Sequence, residues 1–302
     1  MENANKDVNQ VINQMQMIKF QGVFMAALEL LKKEPVYLFA LFMAPLLVNG
    51  ILEGYVYPPI LGAVLTTGAL VTTLLSIVFA IVSALIAFFG TGLILRAASR
   101  VFEGKKVDIG ETVSFVQNHY VDAIKLAIQL FIYTGAWLIL VYLAVTALMV
   151  PIAPGIALTL GMLTLPAVVV YIIIFFKKIV NSSMAPAIFW SAEKPEIEGS
   201  LKKSLDLCDK LTWTIFGNYV LMGLVGALAS FVIIAVLGAI LVVLGRGGMV
   251  VTAALSSGVI GTFYAVFQYC LKGQVEKFRS STAHHAAPAH HEAHHDGTHT
   301  HS

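Results

Sequence analysis

The stretch "EGSLKKSLDLCDKLTW" at residues 198–213 joins two kinds of sequence that usually lie apart. Its first part alternates charged and apolar residues at helical spacing, which predicts a helix with one polar and one apolar face. From residue 211 the chain continues to residue 245 without a single Asp, Glu, Lys or Arg. This order predicts a surface helix followed directly by a membrane span.

The composition extends this interpretation to the whole chain. Hydrophobic residues make up 58% of the 302 residues and charged residues only 12%, about half the share usual in soluble domains. A bilayer crossing needs about 20 apolar residues. Uncharged runs that can hold one or two crossings occupy residues 35–52, 54–95, 126–176, 211–245 and 247–271.

The number of spans follows from the proline-containing segments within these runs. Residues 126–176 have room for two spans, because "MVPIAPG" (149–155) places two prolines near the middle, where we expect a tight turn. Residues 54–95 are expected to hold one span after a looped or re-entrant start at "GYVYPPILG" (54–62). The sequence therefore predicts an all-α fold, a polytopic membrane bundle of six transmembrane helices.

The basic residues predict the orientation of this bundle. Six spans divide the loops into two sets, and all but one of the 19 Lys and Arg residues fall in the set that contains both termini. The exception is Arg246, which shares the opposite set with Glu53. Because basic loops stay on the cytoplasmic side, we expect a multi-pass protein of the cell membrane with cytoplasmic N- and C-termini.

Three segments align from a glycine and predict an internal repeat. They are "GVFMAALELLKKEPVYLFALF" (22–42), "GETVSFVQNHYVDAIKLAIQL" (110–130) and "GSLKKSLDLCDKLTWTIFGNY" (199–219). Each begins with amphipathic turns and ends in a span that a second span follows. We therefore expect three pseudo-repeats, at about 22–104, 110–194 and 199–278, each an interfacial amphipathic helix plus a two-span hairpin. The domain plan is a polar segment at 1–19, a membrane domain at 20–278 and a disordered tail at 279–302.

Helical spacing predicts the apolar face of each interfacial helix, which would lie in lipid or against the bundle. The turn into the first span is expected at Glu34–Pro35, since a residue before proline leaves the helical region. The three predicted faces are Phe24, Ala27, Leu28 and Leu31; Val113, Val116, Tyr120 and Ile124; and Leu201, Leu205, Cys208 and Leu211.

Within the predicted spans the sequence offers polar side chains but no Asp, Glu, Lys, Arg or His. Asn49, Gln129, Asn218 and Gln268 are expected to form hydrogen bonds between helices. We assign no catalytic residue and no required cofactor, and the chain is not expected to be an enzyme.

Five side chains at the edges of the predicted spans need interpretation. Asp206 and Asp209 could share a cation, but nearby lysines (Lys202, Lys203 and Lys210) favour a salt-bridged wet face. His119 is interpreted as a surface side chain. Cys208 and Cys270 are interpreted as ordinary apolar residues without a disulfide, because both would face the reducing cytoplasm.

The C-terminal tail "AHHAAPAHHEAHHDGTHTHS" (283–302) carries eight of the nine histidines. Neutral imidazoles bind Zn, Ni, Co or Cu, and a flexible tract can gather several of them around one ion. A purification tag is normally an uninterrupted run, whereas here Ala, Pro and Glu separate histidine pairs. The other interpretation is a soluble, pH-responsive tether. The predicted metal ligands are His284, His285, His290, His291, His294, His295, His299 and His301.

The layout resembles an uncharacterised group of six-span prokaryotic membrane proteins, which includes the membrane domain of some glycerophosphoryl diester phosphodiesterases. The similar segments are "APAIFWSAEKPEIEGSLKKSLDLCDKLTWTIFGNY" (185–219), "MVPIAPGI" (149–156) and "GLILRAASRVFEGKKVDIGETV" (92–113). The resemblance covers most of residues 20–278 and implies the six-span fold. It transfers no catalytic residue, and the histidine tail departs from the family pattern.

Three functions compete at this point. The leading one is a non-enzymatic integral membrane protein that organises or senses the bilayer, or anchors a cytoplasmic or membrane protein partner. The second is a permease or facilitator for a small or lipidic solute or a metal ion. The third, a membrane-embedded lipid enzyme, is disfavoured because no acid–base pair is predicted to converge at the interface. Membrane lipids and a divalent transition metal are the expected partners, and nucleic acid is not.

Overall fold

The computed structural model describes residues 18–64, 69–138, 170–241, 243 and 245–286, and every regular element in these ranges is helical. A π-helical turn at Leu52–Val56 joins the helix Pro35–Ile51 to the helix Tyr57–Val64. The helices are α1 Phe20–Lys33, α2 Pro35–Ile51, α3 Tyr57–Val64, α4 Ala69–Phe102, α5 Ile109–Thr134, α6 at 170–182, α7 Ala185–Ser191, α8 Ile197–Cys208, α9 Thr212–Leu241 and α10 Arg246–Ala286.

Five stretches of the described chain are long and apolar enough to cross a membrane. They are Pro35–Val64, Val71–Phe102, Val170–Ser191, Thr212–Leu241 and Val250–Ser281. This number and their hydropathy indicate a multi-pass membrane protein. The remaining predicted span, before the turn at 149–155, falls partly outside the described residues, so six spans and three pseudo-repeats stay predictions.

The packed core lies at one end of the bundle. Helix α10 is its centre and contacts α1, α2, α4 and α9. The short helices α7 and α8 pack against one another and against the neighbouring ends of α4, α5 and α10. We call this region, comprising α1, α7, α8 and the parts of α4, α5 and α10 packed on them, the charged end. Its largest fully buried side chains include Trp190, Phe189, Phe267, Ile94 and Leu271.

Away from the charged end, the helices leave apolar side chains uncovered. On α9, Leu224, Leu228 and Phe231 are each more than 60% exposed, and α4 exposes Leu74 and Ile81. Water disfavours such continuous apolar surface, whereas lipid tails accommodate it. The two ends therefore differ in environment: one is packed by protein, and the other presents apolar side chains suited to a bilayer.

Two helix breaks lie where the sequence predicts them. Helix α1 ends at Lys33 and α2 begins at Pro35, which confirms the turn at Glu34–Pro35. Helix α8 ends at Cys208, and Lys210 has a left-handed backbone with φ of 62° before α9 begins at Thr212. A short amphipathic helix followed by a long apolar helix, the order expected from residues 198–213, is thus observed.

Of the looped or re-entrant start predicted at residues 54–62, the looped form is wrong, and the re-entrant form stays a prediction. The chain stays helical from Pro35 to Val64, through the π-helical turn into α3. Pro58 and Pro59 lie in the first turn of α3, where a missing backbone N–H is tolerated. The longer hydrogen-bond ladder of the π turn accommodates this irregularity without ending the helix.

The second amphipathic segment is also longer than a short surface helix. Helix α5 runs without a break from Ile109 to Thr134 and ends at Gly135, whose φ is 78°. No proline or internal glycine interrupts residues 111–134, so the helix continues until a residue that favours the left-handed conformation. Asp108 caps its start by accepting a hydrogen bond from the Glu111 N–H.

The predicted apolar faces of the three amphipathic helices are correct in part. Val116, Ala27, Leu201 and Cys208 are buried as expected. On α1, however, Val23 and Leu30 are buried, while Phe24 and Leu31 are only half-buried. Helix α8 also buries its small polar residues Ser200 and Ser204. On α8 the small serines allow a neighbouring segment to approach closely, since Ser204 donates a hydrogen bond to the Asn181 carbonyl at 2.8 Å.

One glycine shows how closely the elements approach at the charged end. A Cβ atom on Gly92 of α4 would lie 2.8 Å from Cζ2 and 2.9 Å from Cε2 of Trp190. Both distances are shorter than carbon–carbon van der Waals contact. Gly92 therefore provides the space into which the indole of α7 packs.

Candidate functional site

An ion cluster lies where α7, α8 and α10 meet. Lys272 Nζ donates a hydrogen bond to Ser191 Oγ at 2.8 Å and lies 3.7 Å from Glu276 Oε2. The other carboxylate oxygen of Glu276 lies 2.7 Å from Nζ of Lys203 on α8. The Lys272 side chain is only 10% exposed. One carboxylate therefore joins two cations and connects α10 to both short helices.

A second buried cation connects α4 to the segment after α7. The Arg96 guanidinium donates to the Ala192 carbonyl at 3.2 Å, and its Cζ lies 3.7 Å from the centre of the Phe115 ring. Arg96 is only 6% exposed. Its planar charge is thus stabilised by an aromatic face of α5 and a backbone carbonyl.

A third cation caps the end of α8. Arg279 of α10 donates hydrogen bonds to the carbonyls of Leu207 and Asp209. Carbonyls in the last turn of a helix lack partners within the helix and carry its partial negative charge. Arg279 satisfies them and holds the break between α8 and α9.

The rim of the charged end is formed by ion pairs between α4, the following loop and α5. Arg100 pairs with Glu111, and Lys105 lies 2.8 Å from Glu103. The hydrogen bond from Lys105 lowers the pKa of Glu103 below its ordinary value. These exposed pairs are expected to contribute little stability each, but they fix the sign and position of charge at the rim.

An apolar groove of about 660 Å³ runs between α2, α4 and α5, next to this rim. Tyr120 carries the only polar side-chain atom among the described residues lining the groove, and its hydroxyl donates to the Leu85 carbonyl at 2.5 Å. Burial raises the Tyr120 pKa, which keeps the hydroxyl a donor. The other lining residues are Ala40, Leu41, Ala44, Pro45, Val48, Val82, Leu85, Ile86, Phe89, Leu93, Ile109 and Val113.

The structure gives direct partners to several polar residues singled out from the sequence. Gln268 donates to the Ser183 carbonyl, and Asn218 donates to the Thr214 carbonyl at 2.8 Å and to the Ile18 carbonyl at 3.4 Å. Both side chains thus bond to another segment of the chain, but the acceptors Ser183 and Ile18 lie just outside the helices rather than within them. Asn49 instead donates to Glu53 within its own helical stretch, at 2.9 Å.

The lysine expected to pair along α8 has a different partner. Lys203 pairs with Glu276 of α10 rather than with Asp206 or Asp209. Asp206 and Asp209 are exposed, as predicted for a wet face. Within the ranges that the structure describes, no group of three His, Cys, Asp or Glu side chains is placed to hold a metal ion.

Three further residues singled out from the sequence, Cys208, Cys270 and His119, lie within the described ranges. Cys208 and Cys270 are free and buried, as expected, and burial raises the pKa of Cys208 to about 12, so its thiol stays protonated at neutral pH. His119 is half-buried, with Nδ1 2.9 Å from the Phe115 carbonyl.

Most of the predicted metal ligands lie outside the described residues. Helix α10 continues to residue 286, so the helical backbone includes His284 and His285, whose side chains are not described. The other six histidines, in 287–302, fall beyond the described ranges. The metal site stays a prediction.

Sequence reasoning missed the buried cations. Arg96 and Lys272 are the first charged residues after the uncharged runs that end at residues 95 and 271. A cation in this position normally marks where a helix leaves the membrane. Here both helices continue past it into a protein core. The sequence signal for this arrangement was the amphipathic segments elsewhere in the chain. Their apolar faces must be covered, and the ends of the long helices cover them.

Comparisons with protein-family models, curated proteins and solved structures find no significant match.

Proposed function

We propose that the chain is a non-enzymatic integral membrane protein whose charged end is a rigid platform at the cytoplasmic surface, on which a protein or lipid partner is anchored. The concentration of the buried core at that end supports this proposal. Long, loosely covered apolar helices hold a protein in a bilayer, but they do not by themselves need a packed core. A platform that presents a fixed surface does need one.

The platform would present the polar faces of the amphipathic helices. Lys202 and Asp206 of α8 and Glu29 of α1 are exposed, while the opposite faces of the same helices are packed in the core. The positive-inside distribution supports a cytoplasmic location for this end. The six-span topology, the three repeats and the resemblance to the phosphodiesterase-associated membrane domain belong to the same proposal.

Site-specific photo-crosslinking in native membranes tests this function. A crosslinker at Glu29, Lys202 or Asp206 is expected to capture the same partner from all three positions. Tyr55, exposed in the π-helical turn beyond the platform, is the control position and is expected not to capture it. The proposal is contradicted if no discrete partner is captured from any of the three positions. It is also contradicted if the crosslinker at residue 55 captures the partner equally well.

The histidine tail is proposed as a separable metal-binding element. Replacing its eight histidines by glutamine keeps the tail length, and we expect it to abolish retention of Zn²⁺ or Ni²⁺ while membrane insertion is unchanged. Retention should also fall as pH drops through about 6.5, where imidazoles become protonated. Metal content is measured by mass spectrometry on purified protein. Metal retained by the glutamine variant would place the ion elsewhere in the chain.

A further inference from the structure

We propose that the groove between α2, α4 and α5 binds one acyl chain of an anionic phospholipid, whose headgroup lies at the rim beside Lys105 and Lys106. This inference goes beyond a partner-anchoring platform and does not depend on it. Its starting point is the chemistry of the groove: aliphatic and phenylalanine side chains, with the one hydroxyl already bonded to the Leu85 carbonyl. Such a lining offers a polar solute no partner, whereas a hydrocarbon chain needs none.

The dimensions of the groove fit one leaflet. Along α4 it extends from Val82 to Leu93, which at 1.5 Å per residue is roughly 17 Å. Half of a bilayer hydrocarbon core is roughly 15 Å. Its volume of about 660 Å³ lies within the range of small-molecule sites. The groove walls on α2 and α4 also belong to two of the candidate spans, so the groove can open to the hydrocarbon of a single leaflet.

The charges at one end of the groove identify the class of headgroup. Ile109 and Val113 line the groove at the start of α5, and Lys106 is three residues before Ile109, within roughly 10 Å along the chain. Asp108 accepts the N-cap hydrogen bond of α5, and Glu111 forms an ion pair with Arg100. Lys105 and Lys106 are both exposed. Because Lys105 lies 2.8 Å from Glu103, its charge is partly balanced, and Lys106 supplies the larger share of the positive charge that attracts an anionic lipid.

Native mass spectrometry of the full chain, released from detergent or nanodiscs, tests the site. We expect one retained phospholipid, and at least a tenfold loss of that bound form in Ala44→Phe, which places a ring in the groove. Ala40→Phe provides a second groove variant. Ala227→Phe is the matched control, because Ala227 is exposed on α9 and does not line the groove. Size-exclusion profiles verify that each variant is folded.

The headgroup is tested by exchange between phosphatidylglycerol and phosphatidylcholine nanodiscs. The preference for phosphatidylglycerol is expected to fall about 5-fold for Lys106→Gln and less for Lys105→Gln, whose charge Glu103 partly balances. The preference is expected to stay unchanged when Lys202 of α8 and Lys210, which follows α8, are replaced instead. Equal lipid retention in Ala44→Phe and Ala227→Phe would overturn the site. A dimer that Ala44→Phe dissociates would assign the groove to a second copy. Equal binding of both lipids by the unaltered chain would overturn the anionic headgroup.

Discussion

Replacing Trp190 by alanine is expected to lower the free energy of unfolding by about 3–5 kcal/mol, the largest effect of any single substitution that we predict. Trp190 is fully buried at the charged end. Its ring packs at 5.0 Å from that of Phe189 and against Gly92 of α4. Because α7 also contacts α5, α8 and α10, the resulting cavity would loosen the contacts that connect the short helices to the bundle.

Packing, rather than hydrogen bonding, is the physical basis of this expectation. The Trp190 indole N–H has no hydrogen-bond acceptor within the described part of the chain. Trp190→Phe removes that buried donor while keeping an aromatic ring, so it is expected to be much milder than Trp190→Ala. Trp213→Ala is the matched control, since Trp213 is 73% exposed. Stability is measured by thermal or denaturant-induced unfolding in detergent, followed by circular dichroism.

A double variant tests the contact itself. Gly92→Leu alone is expected to cost about 1–3 kcal/mol by overpacking against the indole. In the Trp190→Ala background the same leucine can occupy the cavity, so the two losses should be less than additive. The packing of α7 against α4 is wrong if the stability losses of the two single variants add in the double variant. It is also wrong if Trp190→Ala lowers the free energy of unfolding no more than Trp213→Ala does.

The sequence predicted the breaks in the chain better than it predicted the surfaces that meet. The turn at Glu34–Pro35 follows from the covalent restriction that proline imposes. The change from α8 to α9 follows from the end of the charges at Lys210. Both signals are local, and both breaks are observed. Pro58 and Pro59 do not form the loop that their sequence predicted, because they lie in the first turn of α3 after a π-helical turn that no composition signal marks.

The candidate site depends on contacts between distant segments, which a single sequence does not specify. Charge spacing along α8 suggested pairs within that helix, yet Lys203 reaches Glu276, which is 73 residues further along the chain. The polar side chains of Ser200 and Ser204 suggest an exposed position, yet both are buried. Their small size lets α8 approach the segment around Asn181, whose carbonyl accepts a hydrogen bond from Ser204 at 2.8 Å. Hydrophobic periodicity predicts that a face is covered, but not by which neighbour.

The carboxylate of Glu276 is the second position where a large effect is expected. Glu276→Gln should lower the free energy of unfolding by about 3 kcal/mol. This value is at the lower end of the cost of breaking a buried ion pair, because the Glu276 side chain is 31% exposed. Its loss leaves the charge of the nearly buried Lys272 without a carboxylate, with a hydrogen bond to Ser191 Oγ at 2.8 Å, and it removes the contact with Lys203. An unbalanced charge in a packed region is costly.

The exposed pair between Lys125 and Asp122 provides the control. Both side chains are more than 40% exposed and lie 2.8 Å apart, so Asp122→Asn is expected to cost at most about 1 kcal/mol. A combined Lys272→Met and Glu276→Leu variant should recover much of the stability lost in Glu276→Gln, because apolar residues of similar size replace a buried pair without leaving a charge behind. The same unfolding measurement in detergent applies. If Glu276→Gln is as mild as Asp122→Asn, then Lys272 is hydrated in the native protein, and the charged end is held together by its apolar core alone.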